Sequence, residues 1–179
     1  STDLSRFTTV VIGPRAYEAH AELSSANGRL FEFARRGGTL VVQYGQYEMT
    51  QPGMMPFPIT INRPHDRVTH EASPVTILDE NAALLRAPHR IAERDFAGWV
   101  QERSLYMPRT FDQRYTPVIA INDPGEPPNR GGILVAPLGR GTYVYTTLAF
   151  FRQVPAGVPG AARLFVNLLS AGLPGPATP

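Results

Sequence analysis

Two imidazoles and two carboxylates, His65, Asp66, His70 and Glu71, fall within seven residues of this chain. Together they could ligate a metal ion. The His-x4-His spacing matches no helical or zinc-finger pattern, and the segment reads as loop, so a solvated loop is the simpler account. His20 and His89 stand alone and read as surface residues. Nucleophilic chemistry has few means here. The chain has no cysteine, no lysine and no Gly-x-Ser-x-Gly elbow, which excludes thiol, Schiff-base and P-loop lysine chemistry. Ser24 and Ser25 sit where a helix cap is wanted. The glycines at 131–132 and 139–141 lack phosphate-loop spacing and read as hairpin ends.

The more informative group surrounds Gly45. Gln43, Tyr44, Gln46, Tyr47 and Glu48 follow an almost continuously apolar run, Thr39–Tyr44. Arg15 and Tyr17 follow a similar run, Thr8–Ile12. If both runs are strands of a parallel sheet, these residues meet at its carboxyl edge, where open α/β folds place ligands. Polar aromatics and amides suit a sugar or a peptide-like ligand through stacking and hydrogen bonding. The alternative is that Tyr44 and Tyr47 simply pack beneath the proline-rich segment that follows.

The elements that must position these groups can be read along the chain. Thr8–Ile12 predicts a buried strand, and Leu30, Phe31, Phe33 and Ala34 a helix stopped by Gly37-Gly38. Thr39–Tyr44 predicts a second strand. Strand, helix, strand is one βαβ unit, and continuously apolar strands argue a parallel sheet. Residues 45–74, with five prolines, read as a long loop carrying at most a short strand at Ile59-Thr60-Ile61. Pro74–Leu78 predicts a short strand, Asp79 the cap of a helical turn reaching Leu85, and Asp95–Val100 a short helix with Trp99 half-buried. Pro117–Ile121 predicts a strand leaving into the turn Asn122-Asp123-Pro124-Gly125. Gly132–Ala136 and Gly141–Thr146 predict a β-hairpin. Pro159–Leu169 predicts an amphipathic helix with Ala162, Phe165, Val166 and Leu169 on its buried face.

At 179 residues, with 42% apolar and 18% charged residues, the chain can bury one core, and residues 1–172 are expected to form that domain before a disordered tail, 173–179. A net charge of +2, with the arginines dispersed among 15 acids, points to neither nucleic acid nor another polyanion as partner. No apolar run is long enough to insert in a membrane.

Phe7–Gly13, the following helix, and Gly37–Gly45 resemble the class I glutamine amidotransferase-like domain. More closely, the chain is similar to the C-terminal region of large bacterial PIG-L (LmbE-like) deacetylases. The resemblance is carried by Arg15-Ala16-Tyr17-Glu18, Phe96–Arg103, Asn122–Pro128, Tyr143–Thr146 and Phe150–Ala161, and covers nearly the whole chain. It implies a three-layer, flavodoxin-like α/β fold with a mostly parallel sheet and an antiparallel hairpin at one side. It further implies a strand and helix upstream of Phe7, so that this chain is a piece with an exposed sheet edge. Two departures bear on chemistry. Gln43-Tyr44-Gly45 stands where amidotransferases place their cysteine, and Leu148–Arg152 where they carry histidine and carboxylate. The His-Pro-Asp-Asp zinc motif of the deacetylases does not occur either.

The resemblance therefore implies a non-catalytic accessory domain, without a cofactor of its own, partnered by an upstream zinc deacetylase domain acting on an N-acetyl sugar. Its location would be periplasmic or extracellular. The expected carbohydrate-binding residues are Arg15, Tyr17, Tyr44, Gln46, Tyr47 and Glu48, joined by Arg152 from a late strand. Two other readings stand beside it. One is a hydrolase whose water is activated by Glu48, Asp66 or a metal at His65 and His70; the other is a module that oligomerises its parent enzyme.

Overall fold

The computed structural model describes residues 3–172. The expected tail, 173–179, lies outside the described residues. The elements are β1 (Thr9–Ile12), α1 (Ala16–Ala19), α2 (Ala21–Arg35), β2 (Thr39–Gln43), β3 (Ile59–Val68), β4 (Val75–Ile77), β5 (Ser104–Phe111), β6 (Thr116–Ile121), β7 (Asn129–Leu138), β8 (Gly141–Thr146), α3 (Phe150–Gln153) and α4 (Pro159–Ser170).

The βαβ unit β1-α2-β2 forms as the apolar runs dictate, with Thr9–Ile12 paired in parallel to Thr39–Val42. β2 then pairs in parallel with β8, and the six-stranded sheet runs β1-β2-β8-β7-β6-β4. Its remaining three pairings are antiparallel. Four of the six strands (β1, β2, β8 and β6) therefore run in one direction, in a mixed α/β fold. The β7–β8 hairpin sits in the middle of this sheet rather than at one side. It can do so because a two-residue turn, Gly139-Arg140, with Gly139 at φ +63°, closes it tightly.

Period-two alternation divides the core between the sheet's two faces. Leu40, Val42, Tyr143, Tyr145 and Leu134 pack with Leu30, Phe31 and Ala34 of α2. Val41, Val144, Ile119, Ile121 and Ile133 pack with Leu164 and Leu168 of α4, and with Trp99 and Phe150. β1 is an edge strand and only half-buried for most of its length.

Four local expectations are corrected. Residues 59–68 form a full strand, not a loop with three extended residues, because they pair with β5, a strand absent from the sequence reading. The pairing shifts register three times, which destroys the alternation that would have signalled it. Gly131 and Gly132 lie within β7, not at a hairpin end. A Cβ at Gly131 would stand 2.6 Å from the Pro108 carbonyl oxygen, so the glycine lets the β3–β5 ribbon cross β7 closely. Ser24 and Ser25 are inside α2, which begins three residues earlier at Ala21. The helical turn reaching Leu85 forms, as a 3-10 turn over Ala83–Leu85, but Ala82 caps it while Asp79 accepts the Asn81 N–H at 3.0 Å; in place of a helix over Asp95–Val100, a 3-10 turn occupies Glu93–Phe96.

The helix α4 buries a different stripe from the one expected. Gly160, Ala161, Leu164, Asn167 and Leu168 face the core, while Val166 and Leu169 remain 40% and 42% exposed. The polar Asn167 is tolerated inside because its amide is fully used. It donates to the carbonyls of Leu84 (2.8 Å) and His89 (2.6 Å) and accepts the His89 N–H (2.9 Å). Trp99, expected half-buried, is 1% exposed, and its indole N–H donates to the Asp95 carbonyl at 3.0 Å.

At the start of α4, Gly160 packs directly on the backbone of Asp95, whose carboxylate pairs with Arg163 one turn on. A Cβ at 160 would overlap the Asp95 carbonyl oxygen. Gly160→Ala is expected to destabilise the chain by about 3 kcal/mol through overpacking, and thermal melting would show a drop on the order of 10 °C.

Candidate functional site

The carboxyl ends of β1 and β2 do converge, and a third element covers them. Arg15 donates its backbone N–H to the Tyr44 carbonyl at 2.7 Å, which ties the two strand ends together. The β3–β5 ribbon is rooted at the carboxyl end of β8: Leu105 N–H donates to Thr147 O at 3.0 Å, and Ala149 N–H to Arg103 O at 2.9 Å. From that root, β5 brings Tyr106 parallel to the Tyr44 ring, at 6.1 Å and 7°. From β3, His65 lies parallel to Tyr106 at 3.8 Å and 8°. Tyr47 stands edge-on to Tyr106 (5.5 Å) and to His65 (6.4 Å), and the Arg63 guanidinium lies 3.7 Å over the Tyr47 ring. Phe151, 41% exposed, flanks Tyr44 at 6.1 Å.

The expected residues separate into three fates. Tyr44, Tyr47, Arg15 and Arg152 surround the aromatic column. Glu48 Oε1 accepts the backbone N–H of Gln46 at 2.8 Å and so shapes the turn, while the Gln46 side chain is half-buried beside it. Tyr17 turns inward: it is 5% exposed, and its hydroxyl donates to Asn27 Oδ1 at 2.5 Å. Burial pushes its phenol up to about 12, against the lowering effect of that hydrogen bond. Arg152 comes from α3 rather than from a strand. It donates to Gln101 Oε1 and Glu102 Oε2, both at 2.7 Å, while its Nε is buried without a partner. Tyr44 is itself 4% exposed, so the reachable aromatic surface belongs to Tyr47, His65, Tyr106 and Phe151.

Sequence reasoning missed Tyr106 and placed His65 only in a metal reading. Their strands have no clean periodicity, so nothing local could bring them to Gly45. His65 and His70 are not paired: His65 is in the column, whereas the Nδ1 of His70 accepts the Ala72 N–H at 3.2 Å. Among the described residues no three His, Asp or Glu side chains are grouped to hold a metal. Burial, then the nearby Arg67, lowers the His65 imidazole from its ordinary value, which favours the neutral ring in the stack.

Backbone strain is concentrated at the same place. Only three non-glycine residues among those described have positive φ: Arg15 (55°), Gln101 (51°) and Tyr106 (50°). Each borders the column, Gln101 through its bond to Arg152. Strain of this sort costs on the order of 1 kcal/mol or more per residue and persists where the surroundings over-determine it.

No family model matches the sequence, and no curated protein matches it. Solved structures do resemble the fold. A cytoplasmic protein of Salmonella typhimurium superposes with a TM-score of 0.59 at 14% identity, over 94% of this chain and 72% of that one. The cold-adapted β-galactosidase from Rahnella sp. R3 gives 0.53 at 16% identity, over 95% of this chain but 23% of that enzyme. A second cytoplasmic protein, from Salmonella typhimurium LT2, gives 0.53 at 11% identity, over 94% and 73%. This chain therefore spans about a quarter of the β-galactosidase it resembles. At such identities the likeness defines a class, a mixed α/β domain shared by sequences of low identity, and goes no further than the fold.

Two measurements test the geometry. Arg15→Gly removes an αL penalty of about 1 kcal/mol and an exposed Arg15–Glu18 ion pair (2.7 Å) worth less than that. Its melting temperature is expected to equal or exceed that of the unmodified chain. A drop would show that the left-handed backbone at Arg15 is not strained enough to outweigh the contacts of its side chain. Just beyond the end of β3, Asp123 accepts the N–H groups of Thr69 (3.0 Å) and His70 (2.9 Å) and the Ser73 hydroxyl (2.8 Å). Burial alone would raise its pKa, but these bonds outweigh it and hold the carboxyl at about 2. The folded value lies below the unfolded one, so this stabilisation is complete above about pH 4 and disappears as pH falls toward 2. Asp123→Ala is expected to cost about 2 kcal/mol at pH 7, with the difference from the unmodified chain shrinking in melts run at pH 2–3.

Proposed function

We propose that this chain is a non-catalytic accessory domain of a PIG-L family N-acetyl-sugar deacetylase, and that the column at the carboxyl edge of β1 and β2 is its carbohydrate-binding surface. The resemblance along Phe96–Arg103 and Phe150–Ala161 supports the family. In this reading α2 and α4, one on each face of the sheet, are a reduced form of the three-layer, flavodoxin-like arrangement. The zinc belongs to the upstream partner domain, and location outside the cytoplasm follows from the family alone.

One observation carries the binding reading: partly exposed Tyr47, His65 and Tyr106 share one surface with the guanidiniums of Arg15, Arg63 and Arg152. Aromatic faces pack on the apolar face of a pyranose, and guanidinium N–H groups donate to hydroxyl or acetamido oxygens. Tyr44 at the elbow serves as the buried backstop of the stack.

A second reading, the assembly module, is supported by a different surface. Phe7, just before edge strand β1, is 50% exposed, and Val166 and Leu169 present the outer face of α4. An edge strand beside apolar side chains suits a second copy of the chain.

Calorimetric titration with N-acetylglucosamine oligomers tests the first reading. Binding is expected, with Tyr47→Ala and Tyr106→Ala each weakening it at least tenfold at unchanged fold by circular dichroism. Absence of binding, or binding indifferent to both changes, overturns it. In parallel, sedimentation of the unmodified chain and of Leu169→Asp separates the readings, since only the assembly module predicts a multimer that the substitution dissociates.

A further inference from the structure

Two guanidiniums lie closely over aromatic rings, and they differ in one respect. Arg114 lies 3.8 Å over the Phe57 ring, and its edge grips the Asp112 carboxylate, Nε to Oδ1 at 2.7 Å and Nη2 to Oδ2 at 2.8 Å. Arg63 lies 3.7 Å over the Tyr47 ring, and among the described residues no carboxylate stands within ion-pair distance of it. At van der Waals distance over a ring, a guanidinium spends one face on the ring. Its five coplanar N–H donors stay free to fork a carboxylate. Arg114 shows stack and fork together; Arg63 shows the same stack, with no side chain of the described residues on the fork. Arg63 is exposed, so its edge can be reached.

The carboxylates around the column are all engaged elsewhere. Glu18 is held by Arg15 and Glu102 by Arg152, both at 2.7 Å. Glu48 accepts the Gln46 N–H at 2.8 Å, and Asp66 accepts Asn129 Nδ2 at 2.9 Å and Asn62 Nδ2 at 3.2 Å. Those pairs also occupy Arg15 and Arg152, the other two guanidiniums of the surface. An exposed guanidinium is stable in water by itself. What marks Arg63 is a place fixed by Tyr47 beside the rings of the column.

We propose that the saccharide bound at the aromatic column is acidic: a hexuronate whose carboxylate is forked by Arg63 while a pyranose face packs on the partly exposed rings of Tyr47, His65 and Tyr106. This inference rests on the carbohydrate reading of the column and names its ligand class. Tyr47 joins the two contacts, carrying Arg63 on its face and standing edge-on to Tyr106 at 5.5 Å and to His65 at 6.4 Å. Fork and rings are therefore within reach of one disaccharide. A bidentate, charge-assisted pair is also stronger than the hydroxyl contacts a neutral sugar offers. It selects as well, since an ester at the same carbon has no charge to share between the two arms of the fork.

Calorimetric titration of the whole chain at pH 7 compares a tetrasaccharide of alternating glucuronate and N-acetylglucosamine with its methyl ester. The acid is expected to bind about tenfold more tightly than the ester. Arg63→Gln is expected to bring the two within about twofold of each other at an unchanged circular dichroism spectrum. Arg63→Lys keeps the charge and loses the fork, and is expected to leave a ratio below about threefold. Equal binding of acid and ester by the unmodified chain overturns the acidic-sugar proposal and leaves the sugar reading standing. So does a tenfold ratio that survives in Arg63→Gln or in Arg63→Lys. Absence of binding by both saccharides overturns the sugar reading together with the proposal.

Discussion

The arrangement of this molecule depends on a short seam between the chain at 100–105 and the chain leaving β8. Ser104 bridges to Leu148, the Ser104 hydroxyl meets that of Thr147 at 2.7 Å, and Gln153 both accepts from and donates to the backbone of Val100 at 2.8 Å. All of these groups are buried or nearly so, where each bond is worth most and each vacancy costs most. The seam fixes where the β3–β5 ribbon starts and therefore where Tyr106 and His65 end. A two-stranded ribbon with three register shifts is marginal by itself. It is ordered here because its root is bonded and its middle rests on β7 at Gly131.

That dependence explains what could be read from the sequence. The β1-α2-β2 unit, the β7–β8 hairpin and α4 were legible because each is local: a continuous apolar run, a glycine stop, a tight turn, a 3.6-residue period. The convergence of Arg15 and Tyr44 followed from two strands alone. The ribbon was not legible, since residues 59–68 and 104–111 are separated by a long stretch and their alternation is broken by bulges. The rotation of α4 was hidden for another reason. Asn167 reads as solvent-facing until Leu84 and His89 provide carbonyls and an N–H for its amide, and those partners lie some eighty residues away.

The aromatic residues show how one composition serves two ends. Tyr143 and Tyr145 are fully buried on the sheet, with hydroxyls meeting the Met55 sulfur (3.2 Å) and the Gly45 N–H (3.4 Å). Burial raises both phenols above their ordinary range. These tyrosines are core, each carrying a polar tip that finds a partner from a distant part of the chain. Tyr47 and Tyr106 carry the same chemistry at the rim, where the ribbon leaves their faces partly open. Position along the strand, and not residue type, separates scaffold from surface.

Segment 100–103 also contributes to two surfaces, the aromatic column and the open groove at Trp99. Gln101 and Glu102 hold Arg152 on the column side, whereas the Arg103 guanidinium is buried against the Ser73 and Phe96 carbonyls. Proximity alone does not couple two sites; coupling needs an element with two arrangements that each ligand favours differently. This segment is held from both flanks, by Gln153 at Val100 and by Val68 and Ala149 at Arg103, so moving it would break several buried bonds together. A rigid divider of that kind lets the two surfaces be shaped independently.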